Sequence, residues 1–252
     1  MRVPLLWLND YVDPGLPAEE LAARLDMTGT AVERIHRHGV DALEFFRVGR
    51  VLSAERHPDA DRLTVCVVDI GDGEQHQIVC GAPNVAAGQT VAVASPGAVM
   101  PDGTRLKKAK LRGQESRGMI LAEDEVGIGT DHDGIMILPE GLQIGSPLAG
   151  ALPIATEVLE LEVTPNRPDC LAVYGIAREV HAATGAPLAP PPWAEDPGTA
   201  GEVGVAEVVV EDPDLCPRFT ARLFEDVEIG PSPAWLKARL MAAGQRPINN
   251  VV

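Results

Sequence analysis

The sequence predicts a multidomain α+β protein. A small closed β-barrel interrupts a split α+β domain, and a further α/β unit begins after it. Three observations carry this prediction. Across residues 40–150, short β-rich runs alternate with Gly, Pro, Asp and Asn, and no long helical period intervenes. On either side, residues 1–39 and 151–190 each hold an amphipathic stretch too small to bury its own apolar face. A Pro-, Ala- and acid-rich segment at 191–204 then separates these from a new β-rich run that opens at Val205.

Residues 1–39 read as a small helical unit. Pro17 followed by Glu19 and Glu20 marks a helix start, with Pro at the first helical position and acids near the positive end of the helix dipole. Leu21 and Leu25 make one apolar stripe, and Leu5, Leu6, Trp7, Leu8 and Tyr11 are its candidate partners. The barrel strands are expected at Val48–Leu52, Leu63–Ile70, Gln77–Val79, Thr90–Ala94, Gly118–Leu121 and Ile135–Leu138. Leu63–Ile70 is almost wholly apolar or β-branched, as for a strand covered on both faces. Turns fall at Gly71–Gly73, Gly81–Asn84 and Pro101–Gly103. An oligonucleotide-binding (OB) barrel is one member of this class.

After the barrel, Leu159, Leu161 and Val163 alternate with Glu160 and Glu162, the pattern of a half-buried strand. Asp169 is the candidate N-cap of a helix with Val173, Ile176, Ala177 and Val180 inward, closed by Gly185. Beyond the 191–204 linker, in which Trp193 is a candidate surface anchor, strands are expected at Val205–Val210 and Phe219–Phe224. A helix from Ser232-Pro233 should carry Trp235, Leu236 and Leu240 inward, with Gly244 as its cap. A β-rich run starts at Ile248, which reads as a strand cut short and hence as a truncation.

The chain has 252 residues, 45% of them hydrophobic and 23% charged, with a formal net charge of −16. That composition suits a water-exposed globular protein, and no apolar run approaches the 18 residues of a membrane span. Cys66, Cys80, Cys170 and Cys216 form no CxxC and no zinc-ligand spacing, so free thiols in a reducing cytoplasm are expected. The acidic balance argues against non-specific nucleic-acid binding, which leaves any contact local. One segment breaks the balance. Six of the 21 Lys and Arg fall within Thr104–Ile120 (Arg105, Lys107, Lys108, Lys110, Arg112 and Arg117) against one acid, Glu115. This is either a docking site for a polyanion or a solvated edge whose lysines discourage sheet-to-sheet pairing.

Other candidates have plainer readings. His57 and Asp61 suit turn contacts. Asn166 and Arg167 suit either an RNA or subunit contact or a polar cap that holds Asp169. Asp131, Asp133, Gly134 and Glu140 fall at calcium-loop spacing, but Gly129 holds the position that needs an acid, so no metal site is assigned. No P-loop, nucleophile elbow or HExxH is present, so no catalytic residue is assigned.

Three stretches together resemble a known family. His57-Pro58-Asp59-Ala60-Asp61-Arg62-Leu63, Ile78–Val85 and Lys108–Gly113 with Ser116, Gly118 and Met119 resemble the tRNA-binding OB barrel of several synthetases. Thr164–Leu171 running into Gly175–Val180, and Arg246–Val252, complete the pattern. In this order, behind Met1–Gly39, they resemble the β subunit of bacterial phenylalanyl-tRNA synthetase. The resemblance implies a split domain (1–39 plus 151–190), an inserted barrel (40–150), a linker (191–204) and the start of an editing domain (205–252). It also implies tRNA(Phe) and an α subunit as partners in an α2β2 heterotetramer, in the cytoplasm, without membrane or DNA. Aminoacylation, with ATP and Mg2+, would belong to the whole enzyme and its α subunit, so this chain alone should be inactive and should bind no cofactor. Asn250 is the residue expected nearest the editing-pocket wall. Leu121-Ala122 departs from the usual Cys-Ser of family barrels and puts a role for those two side chains in doubt. The alternative is a free-standing OB-fold tRNA-binding module without synthetase activity.

Overall fold

The structure, a computed structural model, describes residues 1–194, 208–219, 221 and 223–252. In chain order its elements are β1 (Arg2–Pro4), α1 (Leu5–Leu8), α2 (Ala18–Met27), β2 (Ala31–Gly39), β3 (Phe46–Arg56), β4 (Thr64–Asp69) and β5 (Gln75–Cys80). There follow β6 (Thr90–Ala94), β7 (Ala109–Leu111), β8 (Gln114–Ser116), β9 (Met119–Ile120), β10 (Ala155–Glu162), α3 (Val173–Thr184) and α4 (Ala234–Ala242). The fold class is α+β, with a barrel lying between two parts of a smaller sheet.

That smaller sheet has the order β1-β10-β2, all antiparallel. Residues 1–39 are therefore not purely helical, since they supply two of its three strands. The alternation that would have revealed β2 is broken by a register shift: Glu160 pairs with Arg34, and Leu161 with Val32. The extra residue, Glu33, puts Val32 and Ile35 on one face despite their odd spacing. Helices α2 and α3 cover this sheet. Leu21, Leu25, Ile176, Ala177 and Val180 pack with Val3, Leu159 and Leu161, and all are at most 1% exposed. Burial of each such Leu or Ile side chain stabilises by about 1.5–3 kcal/mol.

The barrel sheet runs β5-β4-β3-β6-β9. Closure comes from the segment between Ser116 and Ile120. Its first half bonds β5, with the Ser116 hydroxyl accepting from the Val79 amide at 3.1 Å and the Arg117 amide donating to the Gln77 carbonyl at 2.8 Å. Its second half, β9, pairs with β6. Strand β6 is buried along its whole length. In β4 only Cys66 and Val68 are fully buried, and their neighbours are half-buried, so this strand is covered on one face and not on both. Ile135–Leu138 forms a single bridge, Val91 to Ile137, instead of a strand. Leu121 and Ala122 are core residues, and the Leu121 amide bonds the Ala92 carbonyl at 2.9 Å.

The chain enters and leaves the barrel at one narrow point. The Val40 amide donates to the Ile154 carbonyl at 3.0 Å, and Gly39 lies beside the same group at φ +95°. A Cβ on Gly39 would stand 2.0 Å from that carbonyl oxygen.

The start of α3 also differs from expectation. Its N-cap is Ala172, and Asp169 sits in the preceding 3-10 turn Pro168–Cys170. Asp169 is taken instead by Arg167, whose guanidinium donates to both carboxylate oxygens at 3.0 and 2.9 Å and reaches Glu179 at 2.7 Å. Of the two readings open for Arg167, its side chain is engaged as the polar clamp. Gly175 allows the close approach, because its Cβ would meet the Asp169 carbonyl at 1.8 Å. Gly185 ends α3 in the left-handed conformation, as expected. Trp193 packs edge-on against Tyr174, with ring centroids 5.3 Å apart.

Of the strand expected at Val205–Val210, the first three residues lie outside the described residues, and the described remainder is not in a strand. The described residues of Phe219–Phe224 are not in a strand either. Val209, Phe219 and Phe224 are each more than 60% exposed, so the rest of the described protein does not cover them. The same holds for the run at Ile248, where Ile248 and Asn249 bond back to the Val252 carbonyl in a turn. In α4 the buried face is Ala238 and Ala242, while Trp235 is 54% exposed. Small residues face inward there because α4 lies close on the barrel, with Ala238 inside the barrel's own core cluster.

Two outcomes test this description. Gly39→Ala should lower the unfolding free energy by about 3 kcal/mol, through left-handed strain and the clash with Ile154. An unchanged urea midpoint would refute the narrow neck. Hydrogen bonds from Arg167 hold the Asp169 carboxyl down to about 2, from the ordinary 3.8. A depressed folded value means that this contribution is fully present above about pH 4 and is lost as pH falls through 2. Arg167→Gln should return the Asp169 carboxyl resonance to an ordinary titration in NMR, and a midpoint still near 2 would show that Arg167 is not the cause.

Candidate nucleic-acid interface

The basic segment is built as a two-residue hairpin. Leu111 pairs with Gln114, which leaves Arg112 and Gly113 as the loop. Their φ values are +46° and +91°, as a type I′ turn requires. This turn matches the right-handed twist of its strands, and Gly113 adopts it without strain. Arg112 has a Cβ and normally avoids this region, at a cost of order 1 kcal/mol. The result is a guanidinium at the hairpin tip.

All six basic residues are exposed, but they are not equivalent. Arg105 donates to the Gly97 carbonyl at 3.1 Å, and Arg117 pairs with Glu115 at 3.2 Å. Lys107, Lys108, Lys110 and Arg112 have no ion-pair or hydrogen-bond partner among the described residues. Lys110 and Arg112 on the hairpin, and Lys107 and Lys108 in the chain just before it, are thus free to meet phosphate oxygens.

Rigidity comes from three further side chains, two of them outside the basic segment. The Gln77 amide on β5 donates to the Glu115 carbonyl at 2.8 Å. Ser116 bonds the Val79 amide and donates to the Gly118 carbonyl at 3.1 Å. His57, only 2% exposed, accepts the Asp59 amide at Nδ1 (3.0 Å), which leaves Nε2 to donate to the Leu111 carbonyl at 3.2 Å. The expected turn role of His57 is therefore one of two. It also pins the basic hairpin to the β3–β4 connection, across 54 residues of chain. Spacing along the sequence carries no trace of that second contact. Asp61, the other turn candidate, pairs with Arg56 at 2.6 Å.

Asn250 lies far from this hairpin in the chain. Its side-chain amide donates to the Glu228 carbonyl and accepts from the Gly230 amide, both at 2.9 Å, so it holds the 228–230 backbone in place. Asp131 accepts the Asp133 amide in a local turn. The cluster Asp169, Cys170 and Glu179 is close enough for a metal, but the Arg167 guanidinium already occupies its centre.

Removing the His57 anchor should loosen the hairpin. His57→Phe leaves the Leu111 carbonyl and Asp59 amide unpaired, which should cost about 1–3 kcal/mol. Backbone 15N relaxation at Lys110 and Arg112 should show increased fast motion, and unchanged order there would mean that Gln77 and Ser116 suffice.

A family model described as "Putative tRNA binding domain" matches residues 46–147, and one described as "B3/4 domain" matches 215–252. The phenylalanine–tRNA ligase β subunit of Nitratidesulfovibrio vulgaris is 50% identical over 252 residues, covering 100% of this chain and 32% of that subunit. Those of Desulfotalea psychrophila and Moorella thermoacetica are 46% and 48% identical, again over 100% of this chain and 30% and 32% of their own length. Among solved structures, a MetRS related protein from Pyrococcus horikoshii aligns with 40% of this chain and 85% of its own at 26% identity, with a TM-score of only 0.31. The chain spans about a third of the length of the curated relatives it matches. Along its whole length, inside and outside the barrel, it belongs to the family of phenylalanine–tRNA ligase β subunits.

Proposed function

We propose that this chain acts within a phenylalanine–tRNA ligase as part of its β subunit, and that its barrel grips the tRNA(Phe) backbone through the basic hairpin. The observation that carries the reading is the set Lys107, Lys108, Lys110 and Arg112, unpaired among the described residues and carried on a clamped hairpin and the chain that leads into it, in a protein of net charge −16. Backbone contacts of this kind position an RNA and add affinity without selecting sequence. Arg105 and Arg117, already engaged inside the protein, are secondary contacts. The acidic remainder limits binding to this one place.

The division of labour follows the family. Residues 1–39 and 151–190 act as one split domain, 40–150 as the tRNA-binding barrel, 191–204 as a linker and 205–252 as the start of an editing unit, with Asn250 nearest its pocket wall. Aminoacylation, using ATP and Mg2+, falls to the assembled cytoplasmic α2β2 enzyme and its α subunit, and this chain alone carries none of it. The full-length match, which includes segments outside the barrel, favours a ligase subunit over a free-standing tRNA-binding module.

Changing Lys107, Lys108, Lys110 and Arg112 together to Ala should weaken RNA binding with little change in sequence preference. Each lost phosphate contact should reduce the slope of log K against log salt by about 0.7 to 0.9. A quadruple variant with an unaltered slope would make the hairpin a solvated edge.

A further inference from the structure

Where α4 meets the barrel, the two surfaces enclose a cavity of about 600 Å³. Leu138, Leu142 and Leu152 of the barrel side form one wall, and Pro231, Pro233 and Trp235 form the other. A second cavity of about 320 Å³ adjoins it, sharing Glu123, Asp131, Ser232 and Lys237. Both volumes lie in the range of small-molecule sites, which favour junctions between structural units and combine apolar walls with a few placed polar groups.

The polar groups sit where the two cavities meet. Lys237 Nζ lies 2.8 and 2.7 Å from the two carboxylate oxygens of Glu123, with both side chains largely buried. An ammonium has three donors, so one remains. Ser232 is 5% exposed, and its hydroxyl has no hydrogen-bond partner among the described residues. It does not cap α4 either, whose N-cap is Pro233 without a side-chain bond. A buried hydroxyl without a partner is unfavourable, and a ligand acceptor would relieve it. Ser232 and Lys237 thus both line the chamber, and among the described residues each keeps a donor that is not used elsewhere; the Ser232 hydroxyl lies just beneath the wall, so a ligand acceptor reaches it through a small side-chain shift.

We propose that this cavity binds a small, neutral, ring-bearing molecule through a carbonyl or amide oxygen. The oxygen accepts from Ser232 and Lys237, while the ring lies among the leucines and the flat faces of Pro231, Pro233 and Trp235. Neutrality follows from the fence of charge, since Glu123 and Asp131 flank the polar end and repel a carboxylate. The site draws on neither the basic hairpin nor the RNA reading. Because its two walls come from different parts of the chain, an occupant also holds α4 on the barrel.

Benzamide is a suitable probe, with benzoate as its charged counterpart, titrated into the 252-residue chain and followed by methyl NMR at Ile137, Leu138 and Leu142. Saturable shifts with a dissociation constant of about 1–5 mM are expected for a ligand of this size. Benzoate should bind at least about tenfold more weakly. Ser232→Ala, which removes an unpaired hydroxyl and should leave the fold intact, should weaken benzamide about fivefold. Leu142→Trp fills the chamber and should abolish the shifts. Absence of saturation up to about 50 mM, equal binding of benzoate, unchanged affinity in Ser232→Ala or shifts that survive Leu142→Trp would each overturn the proposal.

Discussion

Strand β10 is the constraint on which the rest of the molecule depends. It lies between β1 and β2 and hydrogen-bonds to both, so residues 155–162 hold together parts of the chain more than 100 positions away. With β10 seated, Gly39 and Ile154 must pass within contact distance, and the barrel hangs from that neck. Without it, α2 and α3 would have no common surface for Leu21, Leu25, Ile176 and Val180. Hydrophobic burial supplies the energy of this unit, but the geometry comes from backbone pairing that tolerates no Cβ at residue 39.

Much of this was legible in the residues. Glycine, proline and asparagine punctuation located β3 to β6 and β9, and period-3.6 patterns located α2 and α3. What escaped shares a cause: the decisive contact is made only in three dimensions. Strand β2 was hidden because a bulge at Glu33 breaks its alternation, and only pairing with β10 restores it. Asp169 looked like a cap because it precedes an apolar period, but its carboxylate is taken by the Arg167 guanidinium, which Glu179 also holds. In α4, Trp235 and Leu240 suggested an inward face, whereas close packing on the barrel required Ala238 and Ala242.

The candidate interface divides in the same way. Its charges were visible as a run of Lys and Arg in an acidic chain. Its rigidity was not, because His57 and Gln77 reach the hairpin from outside it and Ser116 bonds out of it to β5. Nor was its inequality. Arg105 and Arg117 look like their neighbours in the sequence, yet each is already bonded within the protein. Composition can locate a charged surface, and three-dimensional placement decides which of its charges are available.

The neck also bears on the order in which the chain folds. Closing a sheet between residues 3 and 159 from an extended chain means ordering a very long loop, and such distant contacts form slowly. A barrel that folds first changes that problem. Its own pairings join neighbouring strands for the most part, and once formed it brings residues 40 and 154 to within a hydrogen bond of each other. The long loop then behaves as a short, stiff link, and β1, β2 and β10 need close only the remaining gap. A barrel that folds first would thus be the template on which β1, β2 and β10 are assembled.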